Sequence, residues 1–426
     1  MTQLTVKVYR QLTDGSRLRL GTLGENQHSL LFQYHEDYLN RPLNPSPFML
    51  PFDDRVHRFS QQDADCLPGL FTDSLSQHWG LRPLMDFFRS AGQNTVSQTR
   101  CRSFLQADQS DLIGALSYQA EESEAITEKS TEKSTETAPP DYYGMLTSGH
   151  GLSEQVQALI SSDQHSHGMP WQAQVYIDPL IPDQLHSENA AHLQPWILRF
   201  SHPANPLGQE QGLADAAYLQ MAELAGISIP AWQLITPPAQ SKAAPWLAHL
   251  RPDYQHRQQH IQRLSGLLGN HWWQPGIGYE QLIRAGQILC QRPATGRDMF
   301  NRAIFNLLSC NRDDHSKHWS FIQDDTGQWQ PAPMYNAGFS PAANRQHSMP
   351  FQGVTSKPDR KNIQKLASLA NFSHWHQARQ AIEEILDALQ NWEIFASQLD
   401  IHRDTQRKVR RELDQCYQEN RKLLQK

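Results

Sequence analysis

Between Met299 and Pro341 the sequence changes character three times, and few folds accommodate the succession. Met299 to Leu308 is apolar at helical spacing. Asn311 to His318 then carries two carboxylates, two imidazoles, an amide and two cations. Trp319 to Ile322 reads as a short strand, and Asp324-Asp325-Thr326-Gly327 turns it back, with Gly327 free to take φ > 0. The returning strand delivers Tyr335 and Asn336 beside the polar loop. A polar loop backed by a hairpin can hold two sets of metal- or phosphate-facing groups at one point. Phosphoryl transfer needs that arrangement: a base for the attacking hydroxyl and oxygen ligands for Mg²⁺. By composition alone the same stretch is a solvated connection, so the rest of the chain has to decide.

A chain of 426 residues is long enough for two or three domains with a substantial core. The formal charge of −6 gives no bulk attraction to nucleic acid or to an anionic membrane. No apolar run approaches the ~18 residues that a membrane span needs. The first residues alternate polar and apolar, which reads as a strand and not as a signal peptide. Cys66, Cys101, Cys290, Cys310 and Cys416 are odd in number and scattered. That pattern speaks against a disulfide framework or a zinc knuckle and for a reducing, cytoplasmic location. Cys310, next to the polar loop, reads as a buried structural thiol.

Residues 1–118 read as a β-rich module. Leu4, Val6 and Val8 alternate with polar residues, Gly15 turns the chain, and Leu18 to Leu23 and Ser29 to Tyr34 make further strands. A helix carrying Trp79, Leu81, Leu84, Phe87 and Phe88 follows. Residues 119–141 are acidic, contain Glu-Lys-Ser-Thr twice and lack aromatics, so they read as a flexible linker. Trp196 to Phe200 and Leu247 to Leu250 are apolar strands. Gly212 to Ala225 is a nearly all-apolar helix closed by Gly226 and Pro230, with Asp215 in its first turn. Residues 257–292 and 297–309 read as helical, 342–359 as a loop, and helices resume near Arg360. The last helix carries Arg403, Arg407, Lys408, Arg410 and Arg411, a solvated face or a contact for nucleic acid or an acidic partner.

Phe305-Asn306, Asn311, Asp313, His315, Lys317 and Pro333-x-Tyr335 match in order and spacing the catalytic core of a known family. They resemble the HipA family, the kinase toxins of bacterial toxin–antitoxin pairs. The resemblance spans nearly the whole chain and is densest over 279–341. It implies an α+β, HipA-like protein-kinase fold: the N-terminal module, the linker, a kinase-like N-lobe over 142–253 and a helical C-lobe over 254–426. It also implies a serine/threonine kinase that uses ATP and Mg²⁺, with Asp313 as base and His315 and Lys317 beside it.

The remaining site residues follow from the resemblance position by position. His318 stands where the family has a Mg²⁺-binding Asn, and Asn336 where it has a Mg²⁺-binding Asp. Gly168, in the stretch Ser166 to Gln172, stands for the phosphate-covering glycine loop, whose backbone N–H groups make an anion nest. Ser166 is the nearest hydroxyl for autophosphorylation. Arg199 replaces a strand Lys that touches ATP phosphates, and Asp215 replaces a Glu that pairs with it. The longer guanidinium and the shorter carboxylate suit each other, so an Arg199–Asp215 pair is expected. Leu250 and Arg251 stand at the hinge where adenine binds, although Pro252 has no N–H to offer.

The departures bear on metal binding. Mg²⁺ prefers hard oxygen ligands, so an imidazole and a neutral amide serve it badly, whereas Mn²⁺ tolerates nitrogen. Two readings follow: a kinase with altered metal binding, or a catalytically dead pseudokinase retained as a binding or regulatory module. A zinc hydrolase built on His315 and His318 is a third class. A loop setting and the lack of a nearby third ligand speak against it. The resemblance implies a HipB-like helix-turn-helix antitoxin as partner. DNA would then be contacted only through that antitoxin, and the protein substrate would belong to the translation machinery, such as an aminoacyl-tRNA synthetase. No membrane partner is expected.

Overall fold

The structure is a computed structural model. It describes residues 5–25, 29–60, 68–75, 112–120, 172–186, 189–199, 205–236, 244–255, 257–269, 276–342 and 344–424. The alternation at the start of the chain becomes β1 (Thr5–Gln11), with Val6 and Val8 fully buried. β2 (Arg17–Glu25), β3 (Ser29–Tyr34), β4 (His57–Ser60) and β5 (Leu116–Ala120) complete an antiparallel sheet in the order β4-β3-β2-β1-β5. Gly15 turns β1 into β2 at φ 91°, a conformation a side chain would resist. Val6 pairs with Ala120 and Lys7 with Gln119. The first two residues of the expected linker therefore close this sheet, because β1 offers them an open edge. The rest of the linker, Ser166, Gly168 and the helix expected around Trp79 lie outside the described residues.

A second sheet has the order β7-β6-β8-β10-β9. It comprises β6 (Gln172–Asp178), β7 (Ile181–His186), β8 (Gln194–Arg199), β9 (Trp232–Ile235) and β10 (Trp246–Leu250). A long helix, α1 (Gln211–Leu224), packs against β10 and against the helices that follow. Its small residues Ala214, Ala216, Ala217 and Ala222 are completely buried, so it sits inside the protein and bridges two layers.

The helical reading of residues 257–263 does not hold. β11 (Tyr254–Gln255) and β12 (Arg257–Gln258) form a small ribbon. β13 (His260–Arg263) pairs antiparallel with β14 (Ser320–Gln323), which pairs with β15 (Trp329–Pro331). Leucines 264 and 267 form only a short helix, α2 (Leu264–Leu267). The polar residues of β13 are buried because they meet the N-terminal module. His260 Nε2 lies 2.8 Å from the Pro45 carbonyl, and Arg263 Nε donates to Asp73 at 2.6 Å. The same contact brings Gly69 and Gly266 backbone to backbone: a Cβ on Gly69 would lie 2.1 Å from the Gly266 Cα.

The helical lobe continues with α3 (Tyr279–Cys290), α4 (Pro293–Ser309), α5 (Arg360–Leu369), α6 (Trp375–Leu389), α7 (Trp392–Gln398) and α8 (Arg403–Asn420). Pro293 starts α4 at the position where its missing N–H costs nothing. Cys310 ends it in the left-handed region at φ 61°. Cys310 is disulfide-bonded to Cys416 on α8, against the expectation of a free thiol. The bridge spans a sequence separation of 106, so no local cysteine spacing announces it. On α8, Arg407 and Arg410 pair with Asp404 and Asp414 of the same helix, and Lys408 caps the Pro206 carbonyl. Among the described residues, no helix is long and apolar enough to cross a membrane.

Candidate functional site

The polar loop is anchored before it presents anything. Asn311 Nδ2 donates to Asn306 Oδ1 at 2.9 Å and to the Asn336 carbonyl at 2.7 Å. The backbone N–H of Arg312 bonds the Ser340 carbonyl. Asp314 is almost completely buried. Its carboxylate accepts from the Tyr279 hydroxyl and from the backbone N–H groups of Ser348 and Met349, and it lies 2.8 Å from His347 Nδ1. Trp319 Nε1 donates to its carbonyl.

Asp313 faces the other way. Its Oδ1 lies 3.4 Å from His315 Nε2 and its Oδ2 lies 3.3 Å from His318 Nε2. The His318 N–H bonds the His315 carbonyl at 2.9 Å, and Ser316–His318 is a 3₁₀ turn. In such a turn residues three apart eclipse. The two imidazoles accordingly stack, with centroids 4.0 Å apart and planes 18° from parallel. Burial raises the Asp313 carboxyl, but the His318 imidazole, with His315 and Arg199, outweighs it and holds the group below the ordinary value. Burial, helped by the neighbouring His318 and Lys317, pushes His315 down to about 3, so its ring is neutral at physiological pH.

Arg199, at the end of β8, reaches across to the hairpin. Its Nη2 donates to the Tyr335 carbonyl at 2.8 Å and to Asn336 Oδ1 at 3.3 Å. Its Nη1 lies 3.6 Å from Asp215 Oδ2, so the pair expected from sequence is present. Burial lifts Asp215 to about 6 even with Arg199 and Gln211 pulling it down. Two residues beyond sequence reasoning complete this cradle. Gln211, one turn before Asp215, donates to its Oδ1 at 2.8 Å. Gly338 lets the carboxylate in: a Cβ there would lie 2.6 Å from Asp215 Oδ1. The i, i+4 spacing of Gln211 and Asp215 was the one signal available.

Three placements bear on the expected roles. Asn336 was paired with His318 as a metal ligand. Its amide oxygen instead accepts from Arg199, and its Nδ2 donates to the Asp313 carbonyl at 3.0 Å. His318 turns to Asp313 and His315. The hinge residues are likewise committed within the protein. The Leu250 N–H bonds the Ala231 carbonyl at 2.8 Å, and the Arg251 N–H bonds the Pro195 carbonyl at 3.1 Å. The buried Arg251 guanidinium binds Asp253, Gln174 and the Leu112 carbonyl, tying the N-terminal module to the second sheet. Thirdly, a third ligand does stand beside His315 and His318, namely Asp313, and the three donor atoms lie within 4.8 Å of one another. Lys317 accepts a bond from the Tyr335 hydroxyl at its carbonyl, and its charge is felt at His315 and at Asp73.

Family models match at two places. The HipA-like C-terminal domain covers residues 168–393, and the HipA N-terminal domain covers residues 15–119. The chain belongs to the HipA family. Among solved structures it is similar to the HipA of Shewanella oneidensis MR-1, determined with HipB and operator DNA. That match has a TM-score of 0.64 at 14% identity and covers 97% of this chain and 96% of that one, which shows a shared HipA fold. The Helicobacter pylori proinflammatory kinase CtkA overlaps less, with a TM-score of 0.38 at 10% identity over 54% of this chain and 89% of that one. No curated protein matches. In this HipA-family chain the polar loop, the Arg199–Asp215 pair and Asn336 therefore meet at one place in a HipA fold.

Proposed function

We propose that this HipA-family protein is the kinase toxin of a type II toxin–antitoxin pair and transfers the γ-phosphoryl group of ATP to a serine or threonine hydroxyl of a protein. The observation that supports this best is the setting of Asp313. It is a carboxylate held ionised and partly open to solvent, on a loop whose backbone is fixed from behind by Asp314. Asp313 would orient the acceptor hydroxyl and take its proton. Arg199, oriented by Asp215, would offer its positive charge to the phosphates.

The residues present do not fit Mg²⁺. The donor set near Asp313 is two imidazoles, and the Asn336 amide oxygen is held by Arg199. Mg²⁺ demands oxygen ligands in near-octahedral order. No step is therefore derived through it. The Asn336–Arg199 contact favours a second reading, a pseudokinase in which the guanidinium sits against the residue that would otherwise hold the metal.

The partner would be a HipB-like helix-turn-helix protein, and DNA would be reached only through it. The family points to a substrate in the translation machinery, such as an aminoacyl-tRNA synthetase, and to action in the cytoplasm. Calorimetry of ATP with Mg²⁺ or Mn²⁺, followed by a phosphotransfer assay, tests the proposal on the native protein and on Asp313→Ala and Asn336→Asp. Binding and transfer by the native protein, with transfer lost in Asp313→Ala, support the kinase. Binding that arises only in Asn336→Asp identifies a site disabled at its metal ligand. Absence of binding in every form selects the pseudokinase.

A further inference from the structure

We infer that Asp313, His315 and His318 form a binding site for a first-row transition-metal dication of the Zn²⁺ class, and that a bound ion withdraws Asp313 from phosphotransfer. The first half stands on the geometry of this chain alone; only the second rests on the kinase reading.

The donor set is two imidazole nitrogens and one carboxylate, borderline donors that suit Zn²⁺, Co²⁺ or Mn²⁺ far better than Mg²⁺. Spacing fits as well. Ligands bound at about 2.0–2.1 Å in tetrahedral order stand roughly 3.3 Å apart. The two Nε2···Oδ separations are 3.3 and 3.4 Å. Each imidazole faces a different oxygen of the carboxylate at that distance, and one donor atom from each of the three residues lies within 4.8 Å of the others. The 3₁₀ turn holds both rings on the same side of the loop, so the site is formed by local backbone and needs no closing of lobes.

Access agrees. The side chains of Asp313, His315 and His318 keep 26%, 11% and 17% of their surface exposed. An ion can therefore arrive from solvent, and water can complete its coordination, as in zinc sites with three protein ligands. The Arg199 guanidinium, whose charge reaches Asp313, is itself tied to Asp215 and to the Tyr335 carbonyl. A carboxylate bound to a dication is a weaker base for a hydroxyl proton. Occupancy would thus compete directly with the role proposed for Asp313.

The test uses the full-length, metal-stripped protein without nucleotide. Zn²⁺ is titrated by calorimetry, and Co²⁺ is followed by its visible absorption, which reports nitrogen and oxygen coordination. One ion per chain is expected. His315→Ala and His318→Asn should each weaken binding by at least about 100-fold, the upper end of what even an outer partner of a metal site costs. His318→Asn guards against misfolding of the more buried His315 variant, and circular dichroism checks both. No binding, or binding that both variants retain, overturns the site. Retention would place the ion elsewhere, for example at the stacked His374 and His376. Phosphotransfer is then assayed with and without stoichiometric Zn²⁺. Inhibition relieved by a chelator supports the second half, and transfer indifferent to bound Zn²⁺ overturns it. A protein that binds Zn²⁺ but transfers no phosphate defeats the kinase reading and leaves the metal site standing.

Discussion

Asp314 accepts hydrogen bonds from a tyrosine and two backbone N–H groups, sits against a histidine, and is shut away from water. Asp313, one residue earlier, faces two imidazoles and keeps 26% of its side chain exposed. In an extended stretch consecutive side chains point to opposite sides. The loop gives its inner face to anchorage and turns Asp313 out toward His315 and His318. The same division separates two arginines. Arg251 is spent on holding the N-terminal module, whereas Arg199 stands at the edge of the site with its neighbours Asp215 and Asn336. Identical residue types thus carry unlike duties, set by what packs behind them.

The comparison breaks first at the two aspartates. Asp314→Ala should cost about 3 kcal/mol or more, because the Tyr279 hydroxyl and two backbone N–H groups lose their acceptor, His347 loses its partner, and each buried polar group left unpaired costs about 1–3 kcal/mol. Asp313→Ala should stay within about 1 kcal/mol of the native stability, as for a partly exposed ion pair. It should lower phosphotransfer about 10²–10⁴-fold. Urea denaturation and a phosphotransfer assay on both variants read the two effects. Equal loss of stability in the two would show that the loop has no separate inner and outer face.

Acidity sharpens the contrast. The pKa of Asp215 is raised from 3.8 to about 6 by burial. A raised folded value means that the folded state binds the proton more tightly than the unfolded state. Its contribution to stability is therefore complete below 3.8 and is lost as pH climbs through about 6, a change of roughly 3 kcal/mol. Asp313 runs the opposite way: its lowered value contributes stability above the ordinary carboxylate range and loses it as pH falls. Asp215→Asn should flatten the fall in stability between pH 4 and 7, measured by urea unfolding at several pH values. An unchanged slope in that variant would move the titration to another group.

His260 tests the seam between the modules. Burial pushes its imidazole down to about 3, with Arg10 adding to the effect. A lowered folded value contributes stability above the ordinary histidine range, which is lost as pH falls through about 3. His260→Gln keeps a polar group near the Pro45 carbonyl without a titrating ring. The variant should lose about 1–2 kcal/mol at pH 7 and unfold less steeply on acidification, as followed by far-UV circular dichroism.

How much of this was legible depended on reach along the chain. The helix, polar loop and hairpin over 299–341 were readable because each signal lies within a few residues, and the family match rests on the same local spacing. The Arg199–Asp215 pair was readable only through that match. Asp313, His315 and His318 were all visible as a cluster, but reading the segment as an irregular loop hid the 3₁₀ turn that brings the rings together. Asp314 could not be assigned, because its partners His347 and Ser348 come from a stretch with no periodicity. The partners of Arg251 were hidden for the same reason: Leu112 and Gln174 are distant in sequence, and only the packed modules bring them to it. The bridge from Cys310 to Cys416 is the extreme case.

Gly338→Ala probes the smallest of these differences, the room left for one carboxylate. The new Cβ would lie 2.6 Å from Asp215 Oδ1, closer than any real contact permits. Asp215 cannot simply swing aside, because Gln211 and Arg199 hold it from two directions. Overpacking of this kind costs about 1–3 kcal/mol. If the cost arises from displacing Asp215, then Asp215→Ala should relieve it. Adding Gly338→Ala to Asp215→Ala should then cost clearly less than adding it to the native protein, with an interaction energy of about 1 kcal/mol or more. Strict additivity in that cycle would mean that the alanine strains the hairpin backbone itself. Gly338 would then matter for the path of the chain and not for seating the carboxylate that orients Arg199.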